Sequence, residues 1–172
     1  MRDEEFQALY PHVIGWIRHT LAAHKKDAKS VASVGFGRLP LYFSNELLAS
    51  SKFVVVDRPP VPPLLALGLK QFAAFEQGDY DGTTYLDTFF LKKSRVANEG
   101  LYFHELIHVV QWRMLGPEGF LAAYADGLET FGYRKSPLER MAYDAQASFT
   151  QSSKLFDAEK LVAEKLTEKQ SA

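Results

Sequence analysis

The chain has no cysteine in its 172 residues. That absence excludes disulfides, thiolate metal sites and a cysteine nucleophile together, so any bound metal must be held by histidine and carboxylate. It also fits a reducing compartment. A surplus of charge is missing as well. The net charge of -1 gives no electrostatic case for nucleic acid or for an acidic membrane surface. Long apolar runs are lacking, since no stretch approaches the ~18 uninterrupted apolar residues of a membrane span. The opening, MRDEEFQALYPHVIGW, is acidic and interrupted by Pro11, so it has neither the basic start nor the apolar run of a secretory signal. The expectation is a cytoplasmic protein that engages neither nucleic acid nor membrane.

Hydrophobic residues make up 47% of the chain and charged residues 24%, which suits one domain with a core of its own. Residues 1–155 read as that domain. Residues 156–172, DAEKLVAEKLTEKQSA with the phenylalanine before them, read as a charged helical or frayed tail whose charges face solvent. Apolar residues at Phe6, Leu9, Val13, Ile17 and Leu21 recur at helical spacing and predict an N-terminal helix that Pro11 kinks or restarts. The run Val31 to Phe36 predicts a short strand, and Ser44 to Ser50 a short helix. KFVVVD, Lys52 to Asp57, is rich in β-branched residues and is the clearest strand of the first half. RPPVPP follows as a stiff connector, with Pro63 opening a helix that runs to Phe75. After the turn cluster GDYDG, the segment TTYLDTFFL, Thr83 to Leu91, predicts one strand. A helix over Leu101 to Leu115 stops at Gly116-Pro117, and a shorter one covers Glu118 to Asp126. Ser136-Pro137-Leu138-Glu139 opens the last core helix, to about Phe149.

The chemistry is concentrated in HELIH, His104 to His108. On a helix, histidines at i and i+4 project from one face about one turn apart, a spacing that lets two ring nitrogens meet one tetrahedral zinc. Glu105 flanks such a metal instead of binding it, where it can take a proton from zinc-bound water. The motif lies inside an apolar helical pattern of Phe103, Leu106, Ile107, Val110 and Met114. Two histidines and a glutamate among such residues are costly to bury without a purpose.

At this point the sequence resembles the zincin metallopeptidases. HELIHVVQW is similar to the HEL-x-H-V-x-Q form of small bacterial zincin-like proteins, and GYRKSPLERMAYDAQ extends the likeness, which covers about half the chain from Thr83 onward. TTYLDTFFL looks like the strand that in zincins lies along the cleft and pairs with an extended substrate. The resemblance implies an α+β, zincin-like fold: a small mixed sheet packed by the N-terminal helix, the HExxH helix and C-terminal helices. It implies a zinc-dependent hydrolase, specifically a metallopeptidase acting on a peptide or protein substrate, with Zn2+ as cofactor and Glu105 as general base.

The third ligand follows from the same likeness. The metzincin pattern needs glycine and histidine three and six residues after His108, where this chain has Gln111 and Met114. The gluzincin pattern, with a glutamate on a later helix, points to Glu139, with Glu129 and then Glu118 behind it. Glu139 also has a plain reading, since Ser136 and Glu139 form an S-x-x-E capping box around Pro137. His12, His19 and His24 read as surface or core residues. Tyr133, Arg134 and Tyr143 are candidates to stabilise an oxyanion, and Asp144 and Asp87 to orient a ligand histidine. The alternative is a zincin-like module that binds zinc without turnover and serves binding or regulation.

Overall fold

The first helix, α1, spans Asp3–Ala23. Asp3, Glu4 and Glu5 fill its first turn, where negative charge offsets the exposed N–H dipoles. It runs through Pro11 without a break, so of the expected kink or restart the restart does not occur. One lost backbone hydrogen bond is outweighed by the burial of Ile14 and Ile17 on the following turns. The structure, a computed structural model, describes residues 1–170.

The fold is α+β, with a four-stranded mixed sheet of order β1-β2-β4-β3. The strands are β1 (Lys29–Ser30), β2 (Lys52–Val56), β3 (Gly82–Tyr85) and β4 (Thr88–Lys92). β2 and β4 run parallel, with Phe53 opposite Phe89 and Val54 opposite Phe90; both outer pairs are antiparallel. Alternation along these strands divides the core. Phe53, Phe89 and Leu91 join the cluster built on Tyr102, Leu106 and Ile107, whereas Val54 and Phe90 pack with Ile14 and Ile17 of α1.

Three expected elements differ. Val31–Phe36 is not a strand: Val31–Val34 is a 3-10 turn. The Ser33 hydroxyl donates to Ser30 O at 2.6 Å and Gly35 takes a φ of 76°, a local solution that competes with sheet pairing. Thr83–Leu91 is not one strand but the β3–β4 hairpin, turned at Leu86 and Asp87, with Leu86 left-handed at φ 59°. The helix expected from Pro63 to Phe75 is a series of turns ending in the short α3 (Ala73–Glu76). Gly68, at φ 83°, breaks the helical path, and the Glu76 carboxylate accepts from Leu65 N at 2.6 Å, pinning the loop. The short helix α2 (Asn45–Ser50) forms as expected, capped by Ser44, whose hydroxyl accepts from Leu47 N.

Helix α4 spans Glu99–Phe131 and has two halves, because Gly116 sits at φ 70° and ψ 167°. Asn98 caps its start by accepting from Leu101 N at 3.1 Å. Its first half is buried almost all round, from Tyr102 to Trp112. Met114, expected in the core, is 45% exposed because it lies on the outer face just before the break. Helix α5 (Pro137–Gln151) packs against α4 and contributes Met141, Ala142, Ala145 and Phe149 to the main core.

Of the two forms expected for the tail, helical or frayed, residues Ala158–Gln170 take the helical one, as α6, and its charges do not keep it wholly in solvent. Ala158 and Val162 are fully buried in the main cluster, and Ala158 N donates to Tyr42 O at 3.0 Å. Residues 171–172, the end of that tail, lie outside the described residues. Among the described residues, no helix is long and apolar enough to cross a membrane.

Candidate functional site

His104, Glu105 and His108 sit on the buried first half of α4, and Glu139 sits in the first turn of α5. Each of the four is between 3% and 4% exposed. His104 Nε2 and His108 Nε2 face each other at 3.2 Å. The Glu139 carboxylate closes the triangle, with Oε2 3.5 Å from His104 Nε2 and Oε1 3.4 Å from His108 Nε2. These three side chains form a group of ligand atoms that can hold a metal ion.

The protonation of the rings follows from their far sides. His108 Nδ1 lies 2.8 Å from Gln111 Oε1, and His104 Nδ1 lies 3.2 Å from Gln146 Oε1. The Gln111 amide is oriented independently, because its nitrogen donates to Leu138 O at 3.0 Å. Facing amide oxygens, both Nδ1 atoms carry hydrogen and donate it. In the neutral rings, both Nε2 lone pairs then point into the same small space as a carboxylate. Apart from the Tyr124 hydroxyl on Glu139 Oε1, no donor serves the two Nε2 atoms and Oε2 that converge there, and a cation, proton or metal, satisfies all three. Glu139 Oε2, fully buried, has no hydrogen-bond partner.

Charge follows the same geometry. Burial pushes the His108 imidazolium down, but the adjacent Glu139 carboxylate more than compensates, leaving it raised to about 9. Burial pushes Glu139 up, and the two rings outweigh it, holding the carboxyl well below the usual carboxylate range. Glu105 is raised, by burial first, although His104, His108 and the Thr84 hydroxyl each pull it back. Thr84 Oγ1 donates to Glu105 Oε2 at 2.6 Å. The backbone of Gly82 runs so close to this carboxylate that a Cβ there would lie 2.8 Å from Glu105 Cδ and overlap Oε1. The edge strand β3 therefore lies directly against Glu105, and the Trp112 indole fixes it by donating to Thr84 O at 3.2 Å.

The capping box is not formed. Ser136 makes no side-chain cap bond and its buried hydroxyl has no partner, while Glu139 turns inward to the histidines and accepts from Tyr124 Oη at 2.6 Å. The other glutamates are elsewhere: Glu129 pairs with the amino group of Met1, and Glu118 accepts from Gln7 at 2.7 Å. His12, His19 and His24 lie on or just after α1, away from the site; His24 Nδ1 is 2.9 Å from Thr20 O.

Tyr143 packs its ring 4.5 Å from that of His104, and Tyr133 lines the same pocket as Glu105, His108 and Glu139. Burial raises the hydroxyls of both, so both stay protonated and can donate. Arg134 is exposed, its guanidinium 5.3 Å over the outer side of the Tyr143 ring. Asp144 is exposed and pairs with Arg140 at 4.0 Å, and Asp87 accepts from Thr88 in the hairpin turn. Neither orients a histidine. Gln111, Gln146, Thr84 and Tyr124 hold the site instead. The Q of HELIHVVQ, three residues after His108, was the one visible signal among these four.

Comparisons with protein-family models, with curated proteins and with solved structures find no match for this chain.

Proposed function

We propose that this chain is a zinc-dependent hydrolase of zincin-like architecture, a metallopeptidase of the gluzincin type, with His104, His108 and Glu139 as zinc ligands. The observation that carries the reading is the ligand triangle. Two donor atoms at ~2.0–2.1 Å from one tetrahedral zinc are ~3.3–3.4 Å apart; the two histidine Nε2 atoms are 3.2 Å apart, and Glu139 brings one oxygen to within 3.5 Å of the first and the other to within 3.4 Å of the second. The donor set, two imidazoles that would give up any Nε2 proton to a metal and a carboxylate with an unpartnered oxygen, fits a divalent cation in charge and in chemistry.

Bound zinc supplies positive charge that acidifies water and favours developing oxyanion charge. The chain's own groups do the rest. Glu105 accepts the proton of the attacking water at its carboxylate and returns it to the leaving nitrogen. The Thr84 hydroxyl holds Oε2, and Gly82 leaves room for Oε1. Burial raises the proton affinity of Glu105, the direction that favours a group which must take up a proton. Tyr133 and Tyr143, whose protonated hydroxyls interact with each other, are the phenols that would serve the oxyanion. β3, the edge strand beside Glu105, is the strand to which an extended substrate would add, although Trp112 already holds its Thr84 carbonyl.

A second reading is a zinc-binding module without turnover, and the burial of all four site groups favours it. One experiment tests both. Protein purified without a histidine tag is analysed for metal, then incubated with a peptide library with and without chelator. The expected outcome is about one zinc per chain and chelator-sensitive cleavage. Zinc without cleavage of any peptide supports the module. A metal-free protein whose melting temperature ignores zinc and chelator overturns both.

A further inference from the structure

Two hollows meet at the candidate metal centre. One is a cavity of about 110 Å³ with Glu105, His108, Tyr133 and Glu139 in its wall. The other is an open groove of about 920 Å³ between the turn Tyr133–Lys135, α5 and α6, and Tyr143 belongs to its wall. The Tyr143 ring also packs 4.5 Å from that of His104, so one side chain separates the groove from a proposed ligand. Charge is unevenly spread along this groove. Arg134, Lys135, Arg140 and Lys165 line it against two acids, Asp144 and Glu168. Asp144 is paired with Arg140 at 4.0 Å. Among the described residues, Arg134, Lys135 and Lys165 have no ion-pair partner. The whole chain carries a net charge of -1, so this excess of cations is local.

We propose that the groove is a recognition surface for acidic peptide substrates, taking aspartate or glutamate side chains a few residues away from the bond attacked. The inference rests on the zinc hydrolase reading for its placement beside the reacting bond. Separate elements bring the cations together. Arg134 and Lys135 come from the turn before α5, Arg140 from α5 itself and Lys165 from α6. Positive charges gathered in this way repel one another, a cost that an acidic partner removes. Arg134 marks the inner end of the groove, because its guanidinium lies 5.3 Å from the centre of the Tyr143 ring and its flat fork suits a carboxylate. Lys135 and Lys165 carry point charges on flexible stems, which suits carboxylates at varied positions. An extended peptide advances ~3.3 Å per residue, so a side chain roughly two to four positions from the attacked bond falls over the groove. Nucleic acid is the poorer fit. Its unbroken row of phosphates would meet Asp144 and Glu168, whereas a peptide can set neutral residues against them.

The test uses the full chain and fluorescein-labelled decapeptides in which glutamate, glutamine or lysine alternates with serine, with labelled decathymidylate as a fourth probe. Binding is read by fluorescence anisotropy on zinc-loaded and on chelator-treated protein. The glutamate peptide should bind at least ~10-fold more tightly than the glutamine peptide and lose that margin at high salt. The margin should be the same with and without zinc, which separates the groove from direct metal binding. Replacing two groove cations, in Lys135→Gln/Lys165→Gln, should remove most of the margin with zinc content and melting temperature unchanged. The matched variant Lys25→Gln/Lys26→Gln, exposed and outside the groove, should keep it. In a library digest, acidic residues should be enriched near the cleaved bonds, and the groove variant should raise KM for the glutamate-flanked substrate ~10-fold with kcat unchanged. A flat ranking, equal losses in the two double variants, a margin that needs zinc, tighter binding of decathymidylate, or cleavage without acidic preference overturns the groove and leaves the zinc reading standing. The expected peptide ranking in a protein that takes up no zinc overturns the zinc reading and keeps the groove as an acidic-peptide site.

Discussion

Gln111 Oε1 accepts from His108 Nδ1 at 2.8 Å while the amide nitrogen of the same residue donates to Leu138 O at 3.0 Å. The first contact fixes which nitrogen of His108 is free. The second ties that choice to the start of α5, the helix that carries Glu139. One side chain thus sets both the tautomer of one proposed ligand and the approach of another.

Gln111→Met keeps the volume and removes the acceptor. Zinc affinity, measured by competition with a chromogenic chelator, should fall ~10–100-fold, the usual cost of losing a partner that orients a ligand histidine. Unchanged affinity in a folded variant would show that the tautomer is set elsewhere.

His104→Ala and His108→Ala should each abolish stoichiometric zinc. Glu139→Gln should weaken zinc binding strongly, whereas a residue acting only through a cap would lose ~1 kcal/mol of stability and no metal. Ser136 makes no cap bond, which places the expected loss on the metal side. Metal analysis and thermal melting of the three variants decide the matter.

Glu105→Gln should keep zinc and fold and lower turnover by roughly two orders of magnitude or more, since the amide cannot accept the proton. Chelator-sensitive cleavage that persists at the parental rate in the metal-loaded variant would defeat the assignment.

Gly82→Ala places a methyl group where Glu105 Oε1 lies. The carboxylate must swing or the edge strand must retreat, and overpacking of this kind costs ~1–3 kcal/mol. The expected result is a lowered denaturant midpoint and slower cleavage with zinc retained. Turnover equal to that of the parent would mean that the carboxylate has slack in its position.

The histidine pair was legible because helical periodicity converts a spacing of four directly into shared direction. Glu139 was legible only as the partner that a family likeness demanded, and the sequence equally allowed a capping box. The glutamine at 146 was out of reach: it meets a histidine 42 residues away, and no local pattern announces such a meeting. Tyr124 likewise meets Glu139 only because α4 bends at Gly116. In the sheet, β2 was plain from its β-branched run. The β3–β4 hairpin was hidden because its turn rests on Leu86, a residue that rarely accepts a positive φ, in place of the glycine or asparagine that marks most tight turns.

The break at Gly116 also constrains how this chain can vary in length. The residues before it present His104 and His108, and those after it present Tyr124 to Glu139, so the phase of the second half is set from the glycine onward. Each helical residue adds ~100° of rotation. One residue inserted between Pro117 and Tyr124 would swing the tyrosine hydroxyl off the carboxylate and an exposed side chain into the cavity wall. An insertion of close to a whole turn would restore the facing but displace it by ~5 Å along the axis. Homologous chains that keep the buried triangle are therefore expected to hold this spacing fixed and to confine their insertions and deletions to the loops outside it.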